Sequence, residues 1–304
     1  MSIMINRARC STLALATAFT TAAGTMPVQG ALLAYEGWDA YPNGTSLDGL
    51  AIEGGIGWST GDAWTRSGGN NGVYLTDAGT SLEYNDGTTS LLTSSGSVAD
   101  ADDGKRGGFD RNFDATALNN GGDRWFSLLF RLDAGPTADL ADNFAYSGIN
   151  RSAGSATNSG AIDGFRLKNW SAWAGTYDLI ANANGAESAT STSLTHGNTY
   201  LIVGHLFDTS PNNQDVVTIY LNPDVGVAAP ANFDASLSVN SQISNGDDLL
   251  QFAFSSIGNA INSPFQYHID EIRVGDTLID VVPAVPEPAA LGLLAAGVVL
   301  LRRR

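Results

Sequence analysis

The chain has 304 residues, 43% of them hydrophobic, which is enough for one large domain with a complete core. Only 15% are charged, while glycine alone contributes 35 residues, and this balance favours a loop-rich β-protein over a helical one. The formal net charge of −16 gives a surface that repels phosphate backbones and anionic lipids, which argues against nucleic acid as a partner.

A short apolar segment follows two basic residues at the N-terminus. Arg7 and Arg9 precede the uncharged stretch LALATAFTTAAG, and small residues follow, with Val28-Gln29-Gly30 as a plausible cleavage site. This order predicts a signal peptide over residues 1–30, and a buried N-terminal helix is the alternative. Cys10, the single cysteine, lies in this segment, so the mature domain would have no disulfide.

Residues 31–282 read as one domain of short strands separated by turn residues. In WFSLLFRL the side chains of Phe126, Leu128, Phe130 and Leu132 share one face, as period-two alternation requires. Further strands are predicted in GFRLKNW, TYDLIAN, YLIVGHLF, VVTIYL, LLQFAF and HIDEIRV. No stretch of ten residues has convincing helical spacing. The sequence therefore predicts an all-β fold, a two-sheet antiparallel β-sandwich or jelly roll.

Three segments resemble the concanavalin A-like lectin/glucanase superfamily, of the LamG-like kind. They are LLAYEGWDAYPNGTSLDGL, GNTYLIVGHLFD with DVVTIYLNP, and HIDEIRVGDTLIDV. The resemblance implies that the first and last strands pair, with residues 35–38 beside residues 269–274. The superfamily includes sugar binders, enzymes and adhesion modules, so fold membership does not give function.

Retaining glycan hydrolysis needs two catalytic carboxylates about 5 Å apart. Asp270 and Glu271 are the best local candidates, but adjacent strand residues point to opposite faces, and no E-x-D-x-E run occurs. We expect these two residues to make edge or turn hydrogen bonds. The protein is accordingly predicted not to be an enzyme.

A glycine-rich acidic loop, residues 100–114, is the candidate metal site. Asp100, Asp102 and Asp103 could bind calcium, but Gly104 occupies the third ligand position of the EF-hand pattern, and Arg106 and Arg111 could neutralise the acids. A salt-bridged loop is the favoured interpretation and calcium the alternative. His196, predicted in a turn, and His205 and His268, predicted in strands, show no zinc-ligand spacing.

Aromatic residues are the remaining candidates for ligand contact. NWSAWAGTY places Trp170, Trp173 and Tyr177 within eight residues, and exposed rings can stack on the C–H faces of sugars. Trp38, Trp58 and Trp64 lie in similar contexts. For all of these the sequence leaves two interpretations open, core filling and a ligand platform. Trp125 is predicted to be core or capping.

The C-terminus combines a proline-flanked acid, an apolar run and a basic cluster. Pro286 and Pro288 keep the chain around Glu287 extended. Residues 289–301 rise about 20 Å as a helix, short of the roughly 30 Å hydrocarbon layer unless flanking residues contribute. The cluster Arg302, Arg303 and Arg304 should stay cytoplasmic, which places the domain outside.

These features, within residues 283–304, resemble the PEP-CTERM sorting signal of Gram-negative bacteria. The resemblance implies recognition and cleavage by a membrane-embedded exosortase, then delivery to the cell surface or the extracellular matrix. An uncleaved membrane anchor is the alternative. Three hypotheses follow for the domain: a non-catalytic module that binds exopolysaccharide, a secreted glycoside hydrolase or lyase, and a structural or adhesion protein of the matrix.

The sorting hypothesis is tested by replacing Pro286, Glu287 and Pro288 with alanine in the full-length chain. We expect the variant to remain uncut in the inner-membrane fraction, because the processing enzyme would lose the extended acidic motif that it recognises. The measurement is immunoblotting of fractionated cells, with Val285→Ala as the control that should be processed normally. Recovery of the unaltered, uncleaved chain from the cytosol would contradict the hypothesis.

Overall fold

The computed structural model describes residues 31–50, 55–59, 61–66, 73–100, 107–114, 123–134, 143–150, 162–168, 176–183, 185–188, 192–207, 215–241, 251–256 and 266–284. The described elements, in chain order, are the strands β1 (Leu32–Glu36), β2 (Thr65–Arg66), β3 (Tyr74–Asp77), β4 (Ser97–Asp100), β5 (Gly107–Asn112), β6 (Arg124–Ala134), β7 (Asn143–Asn150), β8 (Ile162–Lys168), β9 (Thr176–Ala183), β10 (Ala186–Glu187), β11 (Thr192–Thr195), β12 (Thr199–Phe207), β13 (Asp215–Leu221), β14 (Ala235–Ser241), β15 (Gln251–Ser256) and β16 (Gln266–Gly275), and the one-turn helix α1 (Leu278–Val281).

These strands form two antiparallel sheets packed face to face. The first sheet has the order β14-β13-β12-β6-β16-β4-β3, with β1 beside β16, and the second has the order β10-β9-β8-β7-β15-β5-β2, with β11 beside β9. The all-β, two-sheet antiparallel sandwich predicted from the sequence is confirmed.

Side-chain alternation along the strands fills the space between the sheets. Phe126, Leu128, Phe130 and Leu132 of β6 are all at most 1% exposed and join one core cluster with residues of the second sheet. Trp38, Trp58 and Trp64 also belong to this cluster, so the structure selects core filling over a ligand platform for these three. Tilted ring contacts of 5.4 and 5.7 Å connect Trp64 to Trp38 and Trp58.

The first and last strands pair, as expected. In the antiparallel register Tyr35 is opposite Arg273 and Glu36 is opposite Ile272. On its other edge β16 pairs with β6, so the last strand lies in the interior of the first sheet. The N- and C-terminal parts of the domain are thereby joined by main-chain hydrogen bonds.

The outer face of the first sheet carries a second apolar cluster. Leu129, Leu201 and Val203 project from β6 and β12 and are covered by residues from segments 82–91, 225–227 and 278–284. Residues 283 and 284 pack against segment 91–92. Leu92 N donates a hydrogen bond to Pro283 O, and Ala284 forms an isolated β-bridge with Leu91. Segments 82–91 and 225–227 both cover this face, and Val225 N donates a hydrogen bond to Asp86 Oδ2 between them.

The predicted signal peptide and sorting tail lie outside the described residues. Their boundaries, at 30/31 and 282/283, stay predictions. Within the residues that the structure describes, no helix has the length and apolar character needed to cross a membrane.

Gly204 tests the packing between the sheets. An added Cβ would lie 2.0 Å from a ring carbon of the buried Phe126. We expect Gly204→Ala to lower the free energy of unfolding by about 1–3 kcal/mol, because the ring cannot move away within a close-packed core. Urea unfolding measures this change. Gly79→Ala is the control, since its Cβ would meet only Asp77 Oδ1 at 3.4 Å, and an equal loss in both variants would contradict the packing argument.

Candidate functional site

A polar pocket opens where segment 84–86 meets the long connection between β13 and β14. Its cavity volume is about 340 Å³. The lining side chains are two aromatic residues, three amides and three carboxylates: Tyr84, Phe233, Asn85, Asn222, Asn232, Asp86, Asp224 and Asp234. These residues define what we call the Asn–Asp pocket.

Asn222 holds the base of this pocket in place. It follows β13 directly and has φ 50°, a left-handed conformation that asparagine tolerates better than most residues. Its main-chain N–H donates to Leu201 O at 2.8 Å, and its Oδ1 accepts from Leu201 N at 2.9 Å. These two hydrogen bonds to β12 fix the point at which the loop leaves the sheet.

Two asparagine–aspartate pairs then cross-link the loop. Asn222 Nδ2 donates to Asp234 Oδ2 at 2.7 Å, and Asn232 Nδ2 donates to Asp224 Oδ2 at 2.7 Å. Asp224 N also donates to Asn232 O at 3.1 Å. The pairing is reciprocal, so each end of the loop supplies one amide and one carboxylate.

Asp86 joins this loop to segment 84–86. Its Oδ2 accepts from Val225 N at 2.9 Å, while its Oδ1 accepts from Thr88 N, Thr88 Oγ1 and Thr89 N at 2.7–2.8 Å. Despite some burial, these donors lower the pKa of Asp86 to about 2. The carboxylate is therefore ionised over the whole physiological pH range.

The pocket has a negative electrostatic potential. Burial raises the pKa of Tyr84, and the charges of Asp234, Asp86 and Asp224 raise it further. All three carboxylates thus act on one phenol, whose hydroxyl donates to Pro223 O at 3.4 Å. Tyr84 remains protonated and able to donate.

Phe233 supplies an accessible aromatic surface at the rim. The residue is 42% exposed and packs edge-on against Tyr220 at 5.4 Å. The neighbouring rings of Trp125 and His205 stack on one another at 3.9 Å with an interplanar angle of 7°. The stacked faces of the Trp125 and His205 rings cover one another, so Phe233 is the better candidate to contact a ligand. Trp125 is half-buried and caps the outer face of the sheet.

Of the aromatic cluster predicted from the sequence, the described residues include Tyr177. This residue is 1% exposed and packs edge-on against Phe130 at 6.2 Å, which places it in the core and not on a ligand platform. The reason is its inward position on β9, where alternate residues face the first sheet. Trp170 and Trp173 lie outside the described residues.

The acidic loop predicted as a candidate calcium site is also only partly described. Asp100 ends β4, and Asp102 and Asp103 lie outside the described residues. The expectation that Arg111 neutralises that loop is wrong. Arg111 points from β5 into the core and pairs with Glu36 of β1 at 3.0 Å, above the ring of Trp58.

Asp270 and Glu271 are both fully buried, and the strict strand alternation that predicted opposite faces for them does not hold. Glu271 has φ 56° in a β-bulge, which breaks the alternation, so that both carboxylates reach one segment. Asp270 accepts from Leu82 N at 3.1 Å, and Glu271 accepts from Ser94 N. The expected hydrogen bonds are present, and burial at 0% exposure keeps both carboxyls away from any cleft.

Two carboxyls with raised pKa values lie in the interior. Burial raises the pKa of Asp270 to about 9, with a further contribution from the charge of Glu271. Burial likewise raises the pKa of Glu36 to about 7, although Arg111 opposes the shift. A general acid must be protonated and must reach its substrate, and these two residues are at most 1% exposed.

The histidines occupy the predicted turn and strands. His196 follows β11 in a turn, His205 lies on β12 and His268 on β16. His268 Nδ1 lies 2.8 Å from Asp133 Oδ2 and its Nε2 lies 3.4 Å from Asp77 Oδ2. In the described part of the chain, no three His, Cys, Asp or Glu side chains form a group that could hold a metal ion.

The Asn–Asp pocket was not predicted from the sequence. Its residues look like ordinary turn formers, because asparagine, aspartate, proline and glycine dominate turns. One signal was available: the motif Asn-x-Asp occurs at both ends of the loop, at 222–224 and 232–234. A repeated donor–acceptor pair flanking one connection is the pattern that reciprocal cross-linking requires.

Comparisons with known proteins give similarities in fold only. No protein-family model matches the chain, and no curated protein sequence matches it. Similar solved structures include the Emp47p carbohydrate recognition domain (9% identity, TM-score 0.38, 66% of this chain and 87% of that one) and a protein of unknown function from Shewanella oneidensis MR-1 (10%, 0.39, 84% and 92%). A GH131 β-glucanase catalytic domain from Podospora anserina is a third (11%, 0.33, 67% and 71%). These similarities are too low to assign a function.

The raised pKa of Asp270 predicts a pH dependence of stability. Because the folded value of about 9 exceeds the ordinary 3.8, the stability that protonated Asp270 contributes is complete below about pH 4 and is lost as the pH rises toward 9. We expect Asp270→Asn to flatten the fall in the free energy of unfolding between about pH 5 and pH 8, by at most about 1.4 kcal/mol per pH unit. Chemical unfolding at a series of pH values measures the slope.

Asp276→Asn is the matched control for this experiment. Asp276 directly follows β16 but is 40% exposed and pairs with Arg124 at the surface. Its removal should leave the slope unchanged, whereas an unchanged slope in Asp270→Asn would contradict the assignment.

Proposed function

We propose that this chain is an exported, non-catalytic carbohydrate-binding protein that associates with extracellular polysaccharide through the Asn–Asp pocket. The observation that carries the proposal is the composition of this pocket. Amide and carboxylate side chains that can bond sugar hydroxyls surround a cavity of about 340 Å³, and an exposed ring stands at its rim. Polar groups placed in a pocket fix the orientation of a bound ligand and provide specificity.

The polar groups of the pocket are organised before any ligand arrives. Asn222, Asn232, Asp224 and Asp234 are held by the reciprocal pairs, and Asp86 ties the loop to the neighbouring segment. A ligand therefore does not have to order these side chains, and the entropic cost of binding is reduced. Phe233 offers its open face to the apolar C–H side of a sugar ring.

The non-catalytic part of the proposal is supported by the distribution of protonation states. Glycan hydrolysis requires one carboxylic acid that is protonated near neutral pH. In the pocket Asp86 has a pKa of about 2, while Asp270 and Glu36, whose pKa values are raised, are buried elsewhere. A secreted hydrolase or lyase and a structural matrix protein remain the alternative functions, and the binding test below separates them from a binding module.

The proposal also includes export of the chain to the outside of the cell. The segment at residues 286–288 and the arginines at 302–304 would direct the chain through an exosortase to the cell surface or the extracellular matrix of a Gram-negative bacterium. Before processing, the apolar helix predicted at residues 289–301 would hold the chain in the inner membrane. A polysaccharide of the producing cell is then the ligand that the pocket meets first.

Phe233→Ala tests the pocket directly. The variant should weaken binding of the full-length protein to its polysaccharide about five- to thirtyfold, because an aromatic ring that contacts a ligand contributes roughly 1–2 kcal/mol. The measurement is isothermal titration or glycan-array binding against neutral, anionic and amino-sugar polymers. Reducing-end release in the same samples reports any hydrolysis.

Phe207→Ala is the matched control. Phe207 is also 42% exposed and also makes one edge-on ring contact, to His205 at 5.7 Å, but it does not line the pocket. Binding equal to that of the unaltered protein is expected. Indifference of the folded protein to every polymer tested, or equal losses in the two variants, would overturn the proposal.

A further inference from the structure

We infer that the Asn–Asp pocket selects a protonated amine, so that its ligand is an amino-sugar polymer with free ammonium groups. This inference rests on the carbohydrate-binding function proposed above and names its substrate class. The pocket combines a cavity, three carboxylates and an exposed aromatic ring, with no lysine, arginine or histidine among its lining residues. Each of these features bears on the charge of the ligand.

The carboxylates of the pocket are not neutralised by other described groups. All seven lysine and arginine residues in the described part of the chain pair with a carboxylate, and none of the partners is Asp86, Asp224 or Asp234. All three carboxylates line the same pocket as Tyr84, and after burial their charges are what raise the pKa of its hydroxyl. An anionic sugar would be repelled there, and a cationic one attracted.

Two carboxylate oxygens are open to a ligand. Asp86 uses both oxygens for internal donors, whereas Asp224 and Asp234 each accept a single side-chain hydrogen bond, at Oδ2. In the described structure Oδ1 of Asp224 and Oδ1 of Asp234 have no hydrogen-bond partner. An ammonium group has three donors and no acceptor, which suits two open acceptors better than a hydroxyl does.

The arrangement fits an ammonium better than a metal ion. The reciprocal amide pairs tie Asp224 and Asp234 to asparagines at the two ends of the loop, and no group of three ligands converges among the described residues. A calcium ion would need six to eight oxygen ligands at short range. An ammonium needs fewer contacts, and the face of an aromatic ring such as Phe233 attracts it further.

The experiment compares two oligosaccharides that differ only at nitrogen. A β-linked glucosamine oligomer and its N-acetylated counterpart, of equal length, are titrated into the full-length protein at a pH where the free amines are protonated. We expect the amine form to bind about tenfold more tightly. This preference should shrink as the salt concentration rises, because mobile ions screen partly exposed charges.

Asp224→Asn and Asp234→Asn remove one charge each and keep the shape of the side chain. Each should reduce the amine preference, which is the ratio of the two affinities, several-fold. Glu83→Gln is the control for net charge, because Glu83 is exposed and adjoins Tyr84 but does not line the pocket. It should keep the full preference.

The outcomes separate this inference from the function on which it rests. Equal or tighter binding of the N-acetylated oligomer, still weakened by Phe233→Ala, would overturn the amine inference and leave the binding function intact. An amine preference that survives both aspartate variants and high salt would also overturn it, as would calcium that saturates the pocket and displaces the oligomer. Absence of binding to either oligomer and to every other polymer would overturn both proposals.

Discussion

The bulge in β16 is the constraint on which the candidate site depends. Glu271 adopts a left-handed conformation there, so that Asp270 and Glu271 both turn toward segment 82–94 and accept its backbone N–H groups. Arg273 pairs with Glu271 and donates to Leu92 O. Fully buried polar groups without partners would be costly, and these contacts satisfy them while fixing the segment over the first sheet.

Fixing that segment brings Tyr84 and Asp86 against the loop after β13. Asp86 then spans the gap, since one of its oxygens holds the turn at 88–89 and the other holds Val225. The pocket is thus assembled from two connections that are far apart in sequence, and each is anchored to the sheet independently. Its two sides are positioned by the bulge and by Asn222.

Much of the fold was predictable, because strand alternation depends on local order in the sequence. Phe126 to Leu132 on β6 and the pairing of Tyr35 with Arg273 agree with the expectations. The bulge was not predictable, because the positive φ of Glu271 is imposed by contacts with residues nearly 200 positions away. The ion pair of Arg111 was not predictable for a similar reason, because its partner Glu36 comes from the opposite sheet. The pocket was missed because asparagine and aspartate in a loop have the same signature whether they form a turn or present side chains to a ligand.

The distribution of charge connects the acidic composition to the pocket. The chain has 31 acidic and 15 basic residues, and every basic residue of the described part is already paired with a carboxylate. Arg111 and Arg273 form ion pairs with Glu36 and Glu271 inside the domain, where an unpaired carboxylate would be most costly. Among the described residues, Asp86, Asp224 and Asp234 have no cationic partner, so part of the surplus negative charge lies at the Asn–Asp pocket. There it stands beside the exposed ring of Phe233, and under the proposed function this negative charge favours a cationic ligand.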